Sequence, residues 1–388
     1  MVTALHDIIV VGAGPVGATL ALALAGNGLD VVVLDARLPG ELARGDRSLA
    51  LSHGARLILE RLDVWSALAA TPGAVTAIDV IDISQARGFG AATLTAAEQG
   101  VPALGYVVSY RALQSSLDAA LTARGVAVRH GVGVRAAGAA GGCAAVAVDN
   151  PGAAPLLARL VAIADGTGAA GNGIARRRHD YRQVALVAKV FADAPHRGRA
   201  YERFTPEGPV ALLPEADHYS LVWTATPERA RELLALDTAA FVAALAGHFG
   251  SRIAGLADVA ERKSFPLVLE FAPQPVAAHC VALGNAAQTL HPVAGQGFNV
   301  GLRDAYELAT LALDTLREAL GEREMLQRYA RARRHDRLAG IALTHGLVGV
   351  FGNDLALARW PRGLALTLLD VVAPAKRAFT HAMMFGLR

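Results

Sequence analysis

The sequence predicts an α/β protein: a parallel-sheet domain interrupted by a mixed β-sheet domain and followed by a helical C-terminal region. Three observations carry this reading. The first 35 residues run strand, helix, strand, with turn residues at the joints. Residues 181–224 read as strand after strand, and the chain beyond residue 326 reads as helix. A second strand, glycine turn and helix stand near residues 279–320, with no internal repeat to account for them. The 388 residues are long for a single core, and 53% hydrophobic residues with only 5% aromatics suit α/β packing. We assign residues 1–74, 105–178 and 275–325 to the first, discontinuous domain. Residues 75–104 and 179–274 form the sheet domain, and residues 326–388 the C-terminal helical region.

Taken in order, the apolar run Asp7–Val11 ends in glycine, as a buried parallel strand does. Val16–Asn27 is an Ala/Leu-rich helix stopped by Gly28, and Val31–Leu34 is a second strand closed by Asp35. Strand-like runs follow at Ala77–Ile83 and Leu104–Val108. Arg111–Arg124 is a helix whose Leu113, Leu117 and Leu121 make one apolar stripe. Val126–Arg129 and Leu160–Ala164 are strands, and the Gly/Ala-rich stretch Ala136–Pro155 between them is a short hairpin or surface segment. Val184–Phe191, Val210–Pro214, Tyr219–Thr224 and Ser264–Phe271 are strands, with helices at Pro227–Leu236 and Thr238–His248. His279–Leu283 is a short buried strand, and a helix runs from about Val300 to Leu320.

Composition narrows the function. A formal net charge of +3 is too small to argue for nucleic acid. The runs Arg176–Arg178 and Arg328–Arg337 are either solvated faces or contacts with anionic lipid headgroups. Cys143 and Cys280 form no metal or disulfide pattern, so no metal site is expected and a reducing cytoplasm fits. No signal peptide and no uninterrupted apolar span of ~18 residues stands out. Gly340–Leu369 is broken by His345, Asn353, Asp354, Arg359, Pro361 and Arg362, so the expectation is a cytoplasmic protein, soluble or peripheral to the inner membrane.

The turn Gly12-Ala-Gly14-Pro15-Val16-Gly17 has the spacing of a dinucleotide site of Rossmann type. Gly12 permits the tight turn, Gly14 lets a pyrophosphate approach the backbone, and Gly17 allows helix and strand to pack closely. The following helix presents its N-terminus to the phosphates. Asp35, eighteen residues after Gly17, is placed to accept hydrogen bonds from an adenosine ribose. This turn alone does not separate FAD from NAD. The stretch Leu283 to Asp304, with glycines at 295 and 297 before a helix, builds a second anion-recognising turn. A long cofactor such as FAD uses two such turns.

The Leu283–Asp304 stretch resembles the second flavin motif of the FAD-dependent aromatic hydroxylases of the para-hydroxybenzoate hydroxylase type, most closely their ubiquinone-biosynthesis branch. Asp46-Arg47-Ser-Leu-Ala-Leu-Ser52, Tyr110-Arg111-Ala-Leu-Gln114, Ala164-Asp165-Gly166 and Arg203 to Pro214 resemble further segments of that branch. Within it, Gly284-Asn285-Ala-Ala-Gln-Thr-Leu-His291-Pro292, with Asn285 where the wider family has aspartate, is similar to the 2-octaprenyl-6-methoxyphenol hydroxylases. The resemblance implies a Rossmann-like FAD domain around a substrate domain. Pro15, Val16, Arg47, Arg111, Gln114, Asp165, Asn285, Pro292, Gly295, Gln296, Gly297, Phe298 and Asn299 would join the N-terminal glycines and Asp35 at the cofactor. It also implies hydroxylation of a polyprenylated phenol by molecular oxygen through a flavin C4a-hydroperoxide, with backbone N–H groups of Gly295 to Phe298 facing the flavin N1/O2 edge.

Where the family continues its Asp-Gly motif to a serine and an arginine, this chain reads Asp165-Gly-Thr-Gly-Ala-Ala-Gly-Asn. The electron donor is therefore open between NAD(P)H and another source. No side chain is assigned acid–base chemistry. His291 and Pro292 are the candidates, with His291 read first as a loop histidine bonded to backbone and Pro292 as a bend. Tyr181 and Trp223 are read as sheet-core aromatics. The basic, apolar tail Arg328–Arg388 is read as a cap on the first domain, with membrane contact and a biosynthetic protein complex as further partners. Two rivals stand beside this reading. One is another flavin enzyme, either a prenyl reductase or a soluble aromatic-acid hydroxylase anchoring its substrate on Arg182 or Arg203. The other is a non-catalytic FAD-binding scaffold.

Overall fold

The computed structural model describes residues 4–41, 47–86, 88–150, 152–168, 173–253, 255–352 and 356–387. Its first sheet is built on five parallel strands in the order Cys280–Ala282, Leu156–Ile163, Leu5–Val11, Val31–Asp35, Ala127–His130. The strands are drawn from widely separated stretches of chain. Continuous apolar runs suit them to burial on both faces, and Ile8–Val11 and Leu160–Ile163 are at most 4% exposed. Helices Pro15–Leu24, Tyr110–Ala123 and Gln296–Leu313 pack into one apolar cluster over this sheet. The Gly/Ala-rich stretch resolves as the hairpin Val134–Ala140 and Cys143–Val148, whose Ala137, Ala144 and Val146 join Ile9 and Ile163 in a second cluster.

The second sheet has the order Gln288–Thr289, Leu256–Phe271, Arg177–Ala192, His218–Ala225, Gly208–Glu215, Arg199–Thr205, Val80–Gln85, Ala91–Thr95. It is mixed, because Arg199–Thr205 and Val80–Gln85 run parallel while the other neighbours are antiparallel. Its two faces differ. Leu186, Leu212 and Leu221 are 0% exposed beneath helices Pro227–Ala235 and Thr238–Phe249. On the opposite face Val187, Leu213, Val222 and Ile83 are only half-buried. A small third sheet, Ser48–Ser52, Gly105–Ser109 and Val75–Ile78, packs against Gly208–Glu215 on that open side.

Several sequence expectations shift. The single strand expected at Ala77–Ile83 is two, Val75–Ile78 and Val80–Gln85, in different sheets. The chain changes sheet at Asp79, whose N–H donates to the Gly198 carbonyl. The helix expected from Val300 to Leu320 spans Gln296–Leu313. It starts inside the glycine turn, where polar Gln296 and Asn299 hide the apolar period. Helices His53–Arg61 and Trp65–Ala70 stand where no periodicity was read.

The C-terminal region forms helices Arg323–Phe351, Ala356–Val371 and Ala373–Phe385. The run Arg328–Arg337 is not one solvated face, since Arg333 and Arg337 are buried. Arg333 donates to Asp304 at 2.7 Å and to Asp336 at 2.5 Å, and Arg303 donates to Asp336 at 2.7 Å. Arg337 donates to Gln288 Oε1 at 2.6 Å, and Gln288 Nε2 donates to Asp304 at 2.9 Å. The outer helix Ala356–Val371 crosses the 88–90 turn at Gly363, and its Asp370 accepts from the Thr93 N–H of the edge strand at 3.0 Å.

Asp304 is 0% exposed and completes this network. Asp304→Ala removes one of the two carboxylates that hold buried Arg333 and leaves Gln288 Nε2 without its acceptor, and a lost hydrogen bond to a charged group costs about 1.5–3 kcal/mol. Urea denaturation of the apoprotein should show that loss, while the exposed Arg331→Ala changes stability by about 0.5 kcal/mol or less. Equal effects of the two would overturn the network's role.

Candidate active site

The first glycine turn is shaped by close backbone approach. Gly12 has φ +99°, and a Cβ there would stand 2.6 Å from the Ala164 carbonyl oxygen; one on Gly17 would stand 1.9 Å from the Gly12 oxygen. At Gly14, by contrast, a Cβ meets nothing within 4 Å. Gly14 N-caps helix Pro15–Leu24 without a side-chain bond, with Pro15 in its first turn. The open side of Gly14 is thus a cradle before a helix N-terminus, the shape a pyrophosphate requires.

Asp35 ends the second strand and is 3% exposed. It accepts from the Ala13 N–H at 2.5 Å, from the Arg37 N–H at 2.8 Å, and from the Arg37 guanidinium at 3.0 and 2.9 Å. Burial pushes its pKa up, but the Arg37 bonds and charge, with the Ala13 bond, outweigh this and hold it below the ordinary carboxylate value. These four bonds match the acceptor capacity of a carboxylate. A ribose hydroxyl must therefore share or displace Arg37, a residue that sequence reading missed.

Gln114 lies on helix Tyr110–Ala123. Its Nε2 donates to the Ala13 carbonyl at 2.9 Å and to Asp118 at 2.7 Å, while Oε1 is buried without a partner among the described residues. An orphaned buried acceptor beside the first turn fits a cofactor hydroxyl. Arg47 lies 5.0 Å over the Tyr110 ring, and its carbonyl accepts from the Tyr110 N–H, so it adjoins Arg111. Asp46 lies outside the described residues.

The two glycine turns meet. Val16 stands 3.0 Å from where a Cβ of Gly284 would be, and 3.1 Å from one on Gly301; a Gly301 Cβ would also stand 3.0 Å from the Gly284 Cα. Beyond Gly284, the Asn285 carbonyl accepts from Arg176 at 3.2 Å. Pro292 opens a short turn into Gly295, whose φ of +59° makes it the left-handed cap of helix Gln296–Leu313. Asn299 is a staple: its Oδ1 accepts from the Ser52 N–H, and its Nδ2 donates to the Ala50 and Gly295 carbonyls. Gln296 donates to the Met383 carbonyl of the last helix at 3.3 Å. Gly297 is half-buried, and Phe298 packs on the first core.

His291 is 1% exposed. Its Nδ1 accepts from the Val293 N–H at 3.2 Å, which puts the ring proton on Nε2, where no partner stands among the described residues. Burial pushes its pKa down to about 4, so the ring is neutral at physiological pH. Tyr181 is not a sheet-core aromatic. It meets His291 edge-on at 5.2 Å between centroids, and its hydroxyl stands 3.2 Å from His345 Nδ1 on the long helix. Trp223 is a core aromatic, 1% exposed against Phe241 and His248.

Asp165 accepts from the Thr167 and Gly168 N–H groups at 3.0 and 2.6 Å and so closes its own turn. Residues 169–172 lie outside the described residues. Arg176, read from sequence as part of a charge run, reaches back to the Thr167 carbonyl and binds Glu270 at 3.0 Å. With its bond to Asn285, one arginine ties the Asp165 loop, the second sheet and the second glycine turn together. Arg203 shares the helix-covered face of the second sheet with Tyr201, and Arg182 is exposed at φ +54°. Among the described residues no cluster of His, Cys, Asp or Glu could hold a metal ion.

Gly14 and Gly17 separate ligand from packing. Gly14 has φ −61°, which any residue adopts. Gly14→Ala should leave apoprotein melting unchanged yet weaken FAD binding about tenfold or more, as a 1.4 kcal/mol clash does. Gly17→Ala should destabilise the apoprotein itself. Flavin fluorescence titration and thermal melting check both, and equal losses of apoprotein stability would contradict the assignment.

Residues 6–340 match the FAD binding domain family. Ubiquinone hydroxylase UbiL of Rhodospirillum rubrum is 34% identical, over 97% of this chain and 89% of that protein. The 3-demethoxyubiquinol 3-hydroxylase of Escherichia coli is 30% identical, over 96% of each. Among solved structures, p-nitrophenol 4-monooxygenase PnpA from Pseudomonas putida superposes with a TM-score of 0.76 at 17% identity, over 99% of each chain, a likeness of fold. With FAD as its cofactor, the chain belongs to the FAD-dependent aromatic hydroxylases, in their ubiquinone-biosynthesis branch.

Proposed function

We propose that this enzyme hydroxylates the aromatic ring of a polyprenylated phenol in ubiquinone biosynthesis, with molecular oxygen as co-substrate. The observation that carries the reading is the half-open face of the second sheet. Val187, Leu213, Val222 and Ile83 line it, and its one buried arginine among the described residues, Arg362, stands over the Phe351 ring at the Phe204 end. Arg203, the anchor that a small aromatic acid would need, belongs to the opposite face. The names of the relatives support the same chemistry. When bound, reduced FAD supplies the activation of oxygen. The chain's part is to cradle the pyrophosphate at Gly12–Gly17, to present the start of helix Gln296–Leu313 to the ring end, and to keep water out. Neutral His291 and the Tyr181 ring sit at that end and suit an apolar lining.

The test is reaction of the FAD-loaded protein, reduced by NADPH or by light, with oxygen and a short-chain prenylated phenol. A product one oxygen heavier by mass spectrometry is expected. Release of hydrogen peroxide alone would point to a scaffold, and turnover only of a carboxylated phenol would point to an aromatic-acid hydroxylase.

We infer further that helix Ala356–Val371 rests on a lipid bilayer. Its exposed described side chains are all apolar, among them Leu357 at 93% and Trp360 at 73% exposure, with Leu364, Leu368 and Val371 continuing the stripe. Tryptophan suits the bilayer interface, and exposed Arg377 follows the stripe towards the headgroups. A polyprenylated substrate is dissolved in that same bilayer. No helix among the described residues is long and apolar enough to cross it. The full chain should float with phosphatidylglycerol-containing vesicles, and Trp360→Glu/Leu364→Glu should not, with FAD retained in both. Failure of the parent chain to float would assign the face to a protein partner in a biosynthetic complex instead.

A further inference from the structure

The open face of the second sheet carries one acid in its apolar row. Alternation along Arg199–Thr205 sends Tyr201 to the helix-covered core and Glu202 to the other side. Register places Glu202 beside Ile83 on one side and Ala211 on the other, with Val222 and Val187 beyond. Among the described residues its carboxyl has no hydrogen bond or ion pair, and Oε1 is buried and orphaned. Glu202 as a whole is half-buried, but a buried acceptor oxygen without a partner is costly.

This face is turned towards the flavin domain. Ser48 of the small sheet donates to Glu215 at 2.5 Å, and Phe351 of the long helix stacks on Phe204 at 4.2 Å. At the end of the same sheet, Tyr181 meets His291 of the flavin loop. These contacts bridge the two halves around the half-open apolar row. A phenol ring between them has Glu202 as the acceptor in that row.

We propose that Glu202 binds the substrate's phenolic hydroxyl and takes its proton. The O–H bond breaks, the proton passes to the Glu202 carboxylate, and the electron pair stays on the phenolate oxygen, enriching the ring for attack on oxygen. No redox change occurs in this step. Burial pushes the Glu202 pKa up to about 7, in the range where a carboxylate both accepts and returns a proton near neutrality. Of the other ionisable groups on this face, Lys189 pairs with Glu261 and Glu215 with Ser48 and His218, while Arg362 and Arg359 of helix Ala356–Val371 stand by Phe351 and Phe204, Arg362 over the Phe351 ring. From the flavin side, His291 is held neutral, and Tyr181 and His345 face each other. The inference rests on the phenol reading given above.

The test uses the FAD-loaded full chain and a prenylated nitrophenol, whose ionisation is visible by absorbance. The parent protein is expected to bind the probe as its phenolate. Glu202→Gln should bind it un-ionised and lower kcat on a prenylated phenol about a hundredfold, within the range for loss of a general base, with FAD content unchanged. Glu202→Leu should raise the melting temperature, because it removes the orphan, while abolishing the phenolate signal. An ionised probe in Glu202→Gln with unchanged kcat would overturn the proposal, as would a lower melting temperature in Glu202→Leu. Should the parent protein neither bind nor hydroxylate any prenylated phenol, the substrate reading fails first, and the Glu202 assignment falls with it.

Discussion

The site depends on one close approach. Val16, Gly284 and Gly301 let the two helix-start turns touch, although they lie hundreds of residues apart in the chain. A side chain at Gly284 or Gly301 would force the helices apart, because protein interiors transmit such a displacement instead of absorbing it. A cofactor that spans both turns needs their spacing fixed to a fraction of an ångström. Seating a β-branched valine on glycine backbone leaves little rotamer freedom to blur the distance. The remaining contacts of the site, from Asn299 on Ser52 to Arg176 on Asn285, orient groups about that fixed point.

The same economy holds further out. The buried cluster of Asp304, Arg333, Asp336 and Arg303 joins the flavin helix to the long C-terminal helix, and Gln288 with Arg337 extends it to the second sheet. Ion pairs in a low-dielectric interior tolerate little misalignment. They therefore hold three units in one register, where apolar packing alone would permit sliding. Phe351, at the far end of that helix, consequently meets Phe204 on the substrate-facing sheet in a defined position.

Much of this was legible in the sequence. Continuous apolar runs announced the parallel strands, and glycine spacing announced both turns, because those signals are local and backbone-driven. Side-chain pairing was not legible. Asp35 was read as a ribose acceptor from its place at a strand end, and nothing local says that Arg37 covers it. Arg176 and Arg333 looked like members of charge runs until tertiary contacts gave each its partner. Glu202 was not legible: no strand is read from the sequence over Arg199–Thr205, and even alternation there names two faces without saying which one looks at the cofactor. Tyr181 was misplaced for the same reason. The change of sheet at Asp79 escaped because Val75–Ile78 and Val80–Gln85 together read as one apolar stretch.

The outer helix has one more effect. Ala91–Thr95 is the last strand of the second sheet, and an uncovered edge of that kind offers a row of backbone donors and acceptors to any passing strand. Asp370 takes the Thr93 N–H, and the Gly90–Gly363 crossing lays helix backbone directly against the turn before that strand. The helix thus acts as an edge guard, closing an eight-stranded sheet to self-association without closing it into a barrel. A chain ending before residue 356 would lose that guard, along with the Met383 carbonyl that holds Gln296, and its characteristic failure would be polymerisation through the exposed strand.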